Sequence, residues 1–321
     1  MRIAVTGSIA TDHLMTFPGR FADQLLPDQL AHLSVSFLVD DLEVRRGGVA
    51  ANIAFGMGLL GLRPLLVGAV GADFADYRAW LDRHGVDTSG VLVSELKHTA
   101  RFVCTTDNDH NQIASFYPGA MSEAREIELA PHGSVDLVVV SPNDPAAMLR
   151  HTEECRARSI PFVADPSQQL SSLEGEQVRA LVDGAEMLLT NAYESALTER
   201  KTGWSAEEVL DRVAVRITTH GSEGATIEQA GAGPVRVPVV AAGTVADPTG
   251  GGDAFRAGLL SGRSWGLSLE RAAQVGSLLA TLCLETVGTQ EYTVARDDAV
   301  ARLTASYGAE AAAEIAPHLP T

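Results

Sequence analysis

Three consecutive glycines, Gly250, Gly251 and Gly252, stand between Asp247 and Asp253 at the start of an apolar helical pattern. Their backbone N–H groups are not obstructed by side chains, and a helix N-terminus attracts negative charge, so the segment is suited to bind a phosphoryl group. Asp253 would lie beside that group, where a carboxylate can accept the proton of an attacking hydroxyl. The spacing therefore predicts phosphoryl transfer, with Asp253 as the base and the three glycines as the anion-binding backbone. A helix capped by an aspartate after a flexible loop is the alternative.

A second glycine pair, Gly47 and Gly48, precedes a helical run that extends to Leu60. Backbone without side chains can approach a ligand closely, and Asn52, on the first turns of that helix, can present its amide to hydroxyl groups. A turn followed by a helix cap explains the same residues, and this motif taken alone favours that explanation.

A third motif is the pair Asn191 and Glu194, which follows the strand-like run 187–190. Residues three apart share a face on the first turn of a helix. Such a pair can organise the water shell of Mg²⁺, which prefers oxygen ligands and keeps most of its waters. A pair of helix-capping side chains is the alternative.

Composition excludes several other classes of function. The 321 residues carry 24 basic and 41 acidic side chains, for a formal net charge of −17, and Lys97 and Lys201 are the two lysines. A nucleic-acid groove needs clustered basic residues, so we expect no nucleic-acid partner. No run approaches the about 18 apolar residues of a membrane span, and the first residues lack a signal-peptide pattern, so we expect no membrane contact and a cytoplasmic location.

The segment 56–61 has the glycine spacing of a dinucleotide-binding loop, Gly-x-Gly-x-x-Gly. It lies late in an apolar helical run, whereas the dinucleotide motif must follow a strand. Close packing between helices explains these glycines better, and a dinucleotide-dependent oxidoreductase is therefore disfavoured.

Two kinds of hydrophobic pattern predict the architecture. Period-two alternation at 13–17, 33–39, 100–106 and 112–117 indicates half-buried antiparallel strands, the last two forming a hairpin around Asp109. Continuous apolar runs at 65–67, 137–140, 161–164, 187–189 and 213–218 indicate buried strands, separated by helical patterns at 146–156, 175–181 and 267–284. We predict an α/β fold: a doubly wound, mostly parallel sheet with a small antiparallel β-sheet lid. The large α/β domain would comprise 1–11, 41–98 and 119–321, and the lid 12–40 and 99–118.

The motifs, in this order, resemble the ribokinase (PfkB) family of carbohydrate and nucleoside kinases over essentially the whole chain. The residues that carry the resemblance are Gly7-Ser8 with Asp12, Gly47-Gly48 with Asn52, the connectors 67–73 and 84–87, Asn191 with Glu194, the loop 219–224, and the segment 247–253. The last segment departs from the family's usual Asp-Thr-x-Gly-Ala-Gly-Asp at Pro248 and Gly251, but it keeps the glycine run and the base.

The resemblance implies a ribokinase-like fold and a site for ATP with Mg²⁺. The implied ATP-binding residues are Asn191, Thr219, His220, Gly221, Ser222, Glu223, Gly224 and Gly252. Asn191 and Glu194 would hold Mg²⁺ through water, and Asp247 with carbonyl groups around 287–289 would hold a possible K⁺. The resemblance also implies a homodimer through the lid sheets, which would cover the exposed strand edges and the apolar face of the lid.

Within the family the chain most resembles the bacterial, ribokinase-like adenosine kinases, which implies adenosine as acceptor. The implied substrate-binding residues are Ser8, Asp12, Ser36, Gly48, Asn52, Phe102, Phe116, Gln168, Gln169 and Asp253. A hairpin centred on Asp109 places Phe102 and Phe116 opposite one another, where two rings can stack on a purine. Simple cross-strand packing of the rings is the alternative. We therefore predict phosphorylation of adenosine at the ribose 5′-hydroxyl, with a ribokinase- or fructokinase-like sugar kinase as the alternative.

Overall fold

The computed structural model describes residues 1–25, 31–32 and 34–321. Its strands are β1 (Ile3–Thr6), β2 (Ala10–Thr16), β3 (Asp41–Gly47), β4 (Leu65–Gly71), β5 (Asp87–Ser94), β6 (Ala100–Thr106), β7 (Gln112–Tyr117), β8 (Leu137–Val140), β9 (Phe162–Ala164), β10 (Met187–Asn191), β11 (Val215–Thr219), β12 (Ala225–Glu228) and β13 (Val235–Val237). Its α-helices are α1 (Phe21–Gln24), α2 (Val49–Leu59), α3 (Ala75–Arg83), α4 (Pro145–Ala157), α5 (Gly175–Val182), α6 (Ala192–Thr202), α7 (Ala206–Leu210), α8 (Gly251–Ser264), α9 (Leu269–Leu284) and α10 (Arg296–Ile315).

A nine-stranded sheet forms the body of the molecule, in the order β13-β12-β11-β10-β9-β8-β1-β4-β5. Its pairs are parallel from β11 to β5, while β12 and β13 are antiparallel at one edge. Side chains alternate between its faces: Ile3 and Val5 of β1 join one hydrophobic cluster with α2, α8 and α9, and Ala4 joins a second cluster with α4 and α5. The predicted doubly wound, mostly parallel α/β fold is confirmed.

A second sheet of four strands has the order β3-β2-β6-β7. We predicted this sheet to be antiparallel, but it is mixed: β2 and β6 pair in parallel, which the long stretch of chain between them permits, and the other two pairs are antiparallel. The hairpin predicted at 100–106 and 112–117 is confirmed. Phe102 pairs with Phe116, as expected for a hairpin centred on Asp109. β3 also belongs to this sheet, although our division of the chain placed 41–98 in the large domain. The division into a large domain and a lid itself stays a prediction.

The prediction of a strand at 33–39 is wrong for the described residues 34–39, which form no β-ladder. Their burial does alternate, and Phe37 packs its ring at 5.0 Å from Phe17 and 4.8 Å from Phe21. The alternation therefore reflects one side of an extended segment that contacts an aromatic cluster, while β3 takes the place beside β2. Residue 33 lies outside the described residues.

Helix packing accounts for the glycines of the segment 56–61. A Cβ at Gly56 would lie 2.6 Å from Ala257 Cβ on α8, and one at Gly58 would overlap the His84 carbonyl oxygen. These glycines permit close contact between α2 and its neighbours, as the sequence indicated. Over the described ranges, no helix is long and apolar enough to cross a membrane.

Candidate active site

The predicted base lies at the beginning of α8, directly after the glycine run. Gly250 has φ 81°, in the left-handed region, and a Cβ there would lie 2.7 Å from the Thr289 side chain. The turn at Gly250 brings the chain into α8 so that Asp253 occupies the helix's first turn. The free N–H groups of this turn and the carboxylate of Asp253 thus share one small region, which suits proton transfer beside a bound phosphoryl group.

Asn52 is the immediate partner of that base. Its Nδ2 donates to Asp253 Oδ2 at 2.8 Å, and its Oδ1 accepts hydrogen bonds from Thr289 Oγ1 at 3.0 Å and Gln290 Nε2 at 2.9 Å. Packing of α2 against α8 creates this contact between residues 201 positions apart. Because most of its hydrogen-bonding groups are engaged, Asn52 is arranged mainly to orient Asp253, and at most one amide hydrogen is left for a ribose hydroxyl.

Burial raises the pKa of Asp253 from 3.8 to about 6, and the nearby Arg256 guanidinium, followed by the Asn52 hydrogen bond, opposes that rise. A carboxylate with this pKa is ionised at neutral pH yet more basic than an exposed aspartate. General-base catalysis favours such a value, since the base must be free and still attract a proton.

One row of side chains crosses the small sheet and contains three predicted substrate-binding residues. Asp12 of β2 pairs with Arg45 of β3 and with Phe102 of β6, and Phe102 pairs with Phe116 of β7. Paired residues share a face, and Arg45 Nη1 contacts Asp247 Oδ2 at 3.2 Å, so this face is the one that meets the glycine-run segment. Burial raises the pKa of Asp12 to about 6, against the opposing charge of Arg45.

Ser8 and Gly48 shape the junction between the sheets. Ser8 Oγ accepts a hydrogen bond from Val49 N at 3.0 Å, at the start of α2. Gly48 has φ 94°, and a Cβ there would lie 2.6 Å from the Ser8 carbonyl oxygen and 2.7 Å from Ala10 N. Gly48 therefore permits the close approach of the start of α2 to the chain at Ser8 and Ala10.

The other predicted acceptor residues differ in their availability. Gln168 is exposed on the short 3₁₀ turn Ser167–Ser171. Gln169 Nε2 instead donates to the Asn143 carbonyl at 2.7 Å and so holds the turn against the segment that follows β8. Ser36 is exposed in the irregular segment beside Phe37, within the part of the chain predicted to form the lid. Gln168 is thus the freer of the two glutamines to reach a ligand.

A cleft of about 420 Å³ lies beside the glycine run. It is lined by Thr219, Gly221, Ser222, Gly224, Ala225, Val237, Val239, Val240, Ala242, Val245, Pro248, Gly251, Gly252, Phe255, Ser277, Ala280, Thr281 and Leu284. The predicted loop supplies four of these residues, but His220 bonds Thr226 Oγ1 at 3.0 Å and Glu223 is exposed, and neither lines the cleft. Sequence reasoning missed the loop from Val237 to Val245 and the inner face of α9, which carry only scattered small apolar residues and no motif.

Asn191 and Glu194 form a reciprocal cap at the start of α6, which was our alternative interpretation. Glu194 N donates to Asn191 Oδ1 and Asn191 N donates to Glu194 Oε2, both at 2.8 Å. These contacts leave Glu194 Oε1 free of hydrogen bonds within the described part of the chain. In the described ranges no three His, Cys, Asp or Glu side chains are grouped closely enough to hold a metal directly. The free Glu194 Oε1, with the second lone pair of Asn191 Oδ1, fits Mg²⁺ held through water.

The residues around Asp247 do not fit the possible K⁺. Asp247 Oδ1 accepts from Thr249 N at 2.9 Å, and Oδ2 accepts from Gly288 N and from Arg45 Nη1, each at 3.2 Å. The carboxylate already has a cation and two backbone donors, and the same contacts lower its pKa against the effect of burial. A second cation at this point would be repelled by the guanidinium.

Comparison with known proteins defines the family. The model of the pfkB family carbohydrate kinases matches residues 9–295, and the chain belongs to that family. It is 30% identical over 259 residues to a nucleoside kinase of Methanocaldococcus jannaschii, covering 80% of this chain and 85% of the relative. It is 26% identical over 281 residues to a cytidine kinase of Thermococcus kodakarensis, covering 83% of this chain and 98% of the relative.

Among solved structures, the fold is similar to that of Burkholderia thailandensis nucleoside kinase in complex with inosine. The TM-score is 0.82 and the identity 36%, and the match covers 95% of this chain and 98% of the other. The same kinase has also been solved in complex with ADP-inosine. These relatives show that the fold described above is that of a PfkB kinase.

Proposed function

We propose that this protein is a nucleoside kinase that transfers the γ-phosphate of ATP to the ribose 5′-hydroxyl of adenosine, giving AMP. The observation that carries the proposal is that the segment with Asp253 contacts both candidate ligand regions: Gly251 and Gly252, directly before Asp253, line the cleft, and Asp247 contacts Arg45 in the row of the small sheet. A phosphate donor in the cleft and a hydroxyl acceptor at the row would meet at the carboxylate of Asp253. The product would return a purine nucleoside to the nucleotide pool, a salvage reaction.

The chain's residues have separable tasks in this reaction. Asp253, oriented by Asn52, accepts the proton of the 5′-hydroxyl, and the N–H groups of residues 250–252 stabilise charge on the transferring phosphoryl group. Mg²⁺, held through water by Asn191 and Glu194, would neutralise phosphate charge when bound. Closure of the small sheet over the acceptor would exclude water and limit hydrolysis of ATP.

Two observations favour a nucleoside over a plain sugar as acceptor. Phe102 and Phe116 lie in the same row as Asp12, so a ribose held by Asp12 would place its base beside the rings. Phe116 is 53% exposed, although an aromatic ring gains from burial, which leaves its face available for stacking. A sugar kinase would have no use for two such rings. Sequence relatives that are nucleoside kinases support the same choice.

An acceptor panel tests the proposal. ATP-dependent phosphorylation is measured with adenosine, inosine, guanosine, cytidine, ribose and fructose at matched concentrations, and we expect adenosine to give the highest kcat/KM. A clear preference for ribose or fructose would favour the sugar-kinase alternative, and a preference for another nucleoside would keep the chemistry but change the substrate. We propose no K⁺ site at Asp247, because Arg45 already pairs with its carboxylate.

We also propose that the small sheets of two copies pack together in a homodimer. The face of this sheet opposite the Asp12 row carries Leu42, Val44, Ile113 and Tyr117, which are 54%, 55%, 47% and 44% exposed. An apolar face of this kind is costly in water, and a second copy would cover it with an identical surface related by a twofold axis.

A further inference from the structure

The catalytic helix carries a buried arginine one turn after the proposed base. Arg256 has a side chain only 9% exposed, and Asp165, Asp253 and Glu194 all contribute to the electrostatic field around it. A buried guanidinium must be paired and hydrogen-bonded to be stable there. Its contacts therefore indicate which parts of the protein it holds together.

Arg256 joins the glycine run to a distant turn. Its Nη2 donates to Asp165 Oδ1 at 2.7 Å and to Ser167 Oγ at 2.9 Å, while its Nη1 donates to the Gly252 carbonyl oxygen at 3.1 Å. Asp165 follows β9 and is fully buried. One planar group thus spans the start of α8 and the turn after β9, with two nitrogens engaged on different sides.

The turn that Arg256 holds has an unfavourable backbone. Ser167 has φ 41°, a left-handed conformation that residues with a side chain rarely adopt, and it persists only where the surroundings enforce it. Ser167 Oγ also donates to Asp165 Oδ1 at 2.7 Å, so Asp165, Ser167 and Arg256 form a closed triangle of hydrogen bonds. Gln168, the next residue, is exposed on this turn.

We propose that Arg256 is a positioning residue that fixes the turn at 165–169, and with it Gln168, relative to the glycine run and Asp253. The inference rests on the proposed function, because it assigns this turn to recognition of the nucleoside. In this role Arg256 acts through the turn and not by contacting either substrate. Its loss should therefore weaken acceptor binding and alignment more than ATP binding, because Arg256 does not line the ATP cleft and contacts the cleft residue Gly252 only through its carbonyl oxygen.

The test uses variants that keep the buried charges balanced. Arg256→Met alone would leave the buried Asp165 without its cationic partner, so it is combined with Asp165→Asn, and Arg256→Lys is made as the conservative variant. The matched control is Arg263→Met, on the same helix, where Arg263 pairs with Glu186 away from the site. Each variant is measured for nucleoside KM, ATP KM, kcat and melting temperature.

We expect the double variant to raise the adenosine KM by about 10- to 100-fold, the effect of losing charge-assisted hydrogen bonds that hold the turn. The ATP KM should change by less than about threefold. Arg256→Lys keeps the charge but lacks the planar fork, so it should lie between the double variant and the wild type. Arg263→Met should leave both KM values unchanged.

Two results would overturn the inference. One is an adenosine KM in the double variant equal to that of Arg263→Met, and the other is an equal rise in both KM values, which a merely structural role would produce. Failure of the proposed function has a different signature: the wild-type protein would phosphorylate none of the nucleosides. An active wild type is therefore the first measurement of the series.

Discussion

Replacement of Asp253 by asparagine should raise the stability of the protein while nearly abolishing its activity. Burial lifts the pKa of this carboxyl from 3.8 to about 6, so holding it ionised at pH 8 costs about 2 pKa units, or roughly 3 kcal/mol. An asparagine side chain has the same shape and no charge, and its oxygen can still accept the hydrogen bond from Asn52 Nδ2. With an unfolding entropy of about 2.1 cal/mol/K per residue, this corresponds to a rise in melting temperature of about 4 °C.

The pH dependence gives the sign of both effects. The folded-state pKa exceeds the unfolded one, so wild-type stability from this group is highest below about pH 4 and is lost as pH rises to about 6. The difference in melting temperature between Asp253→Asn and wild type should therefore vanish near pH 4. Wild-type kcat/KM should instead rise through pH 6, because the base must be ionised.

The assay compares Asp253→Asn with wild type in melting temperature at pH 4 and pH 8 and in turnover at pH 8. We expect turnover to fall by about 10²- to 10⁴-fold. Asp76→Asn is the control, since Asp76 lies in the first turn of α3 but is exposed. Turnover within tenfold of wild type would refute the role of Asp253 as base, and a lower melting temperature at pH 8 would refute the electrostatic argument.

Three further predictions concern the acceptor, the cation and the assembly. Phe102→Ala should raise the adenosine KM by about 10- to 100-fold through lost stacking, with the ATP KM unchanged; an unchanged adenosine KM with a lower melting temperature would instead indicate cross-strand packing against Phe116. Wild-type activity and melting temperature should be the same in K⁺ and in a large organic cation because Arg45 pairs with Asp247, and stimulation by K⁺ would contradict this. Light scattering should show a dimer at micromolar concentration and a monomer for Val44→Lys, and a monomeric wild type would rule out the proposed interface.

Local patterns in the sequence predicted most of the elements but not their long-range contacts. The apolar run at 137–140 became β8, and the hairpin at 100–106 and 112–117 has the predicted register, because both depend on neighbouring residues. The alternation at 33–39 was misleading, since it shows which side of an extended segment is buried and not whether a partner strand is present.

In the candidate site, too, local motifs could be predicted from the sequence and long-range contacts could not. The glycine run and Asp253 were recognisable because their chemistry lies within one short segment. The contact of Asn52 with Asp253 and that of Arg45 with Asp247 depend on packing between elements about 200 residues apart, which no local pattern encodes. Arg256 did leave a signal, because it is the one charged residue in the run 254–262 and lies three positions after the base.

The junction at Gly47 and Gly48 gives the molecule a mechanical property. β3 runs into α2 through these two residues, so the strand that borders Asp12 and the helix that carries Asn52 are one continuous stretch of chain, residues 41–52. A rotation of the small sheet would therefore act on α2, and so on Asn52, through a connection of only two residues. We expect that lengthening this linker by one residue would weaken the coupling between the small sheet and Asn52. The length of the linker is thus as much a part of the active site as its composition.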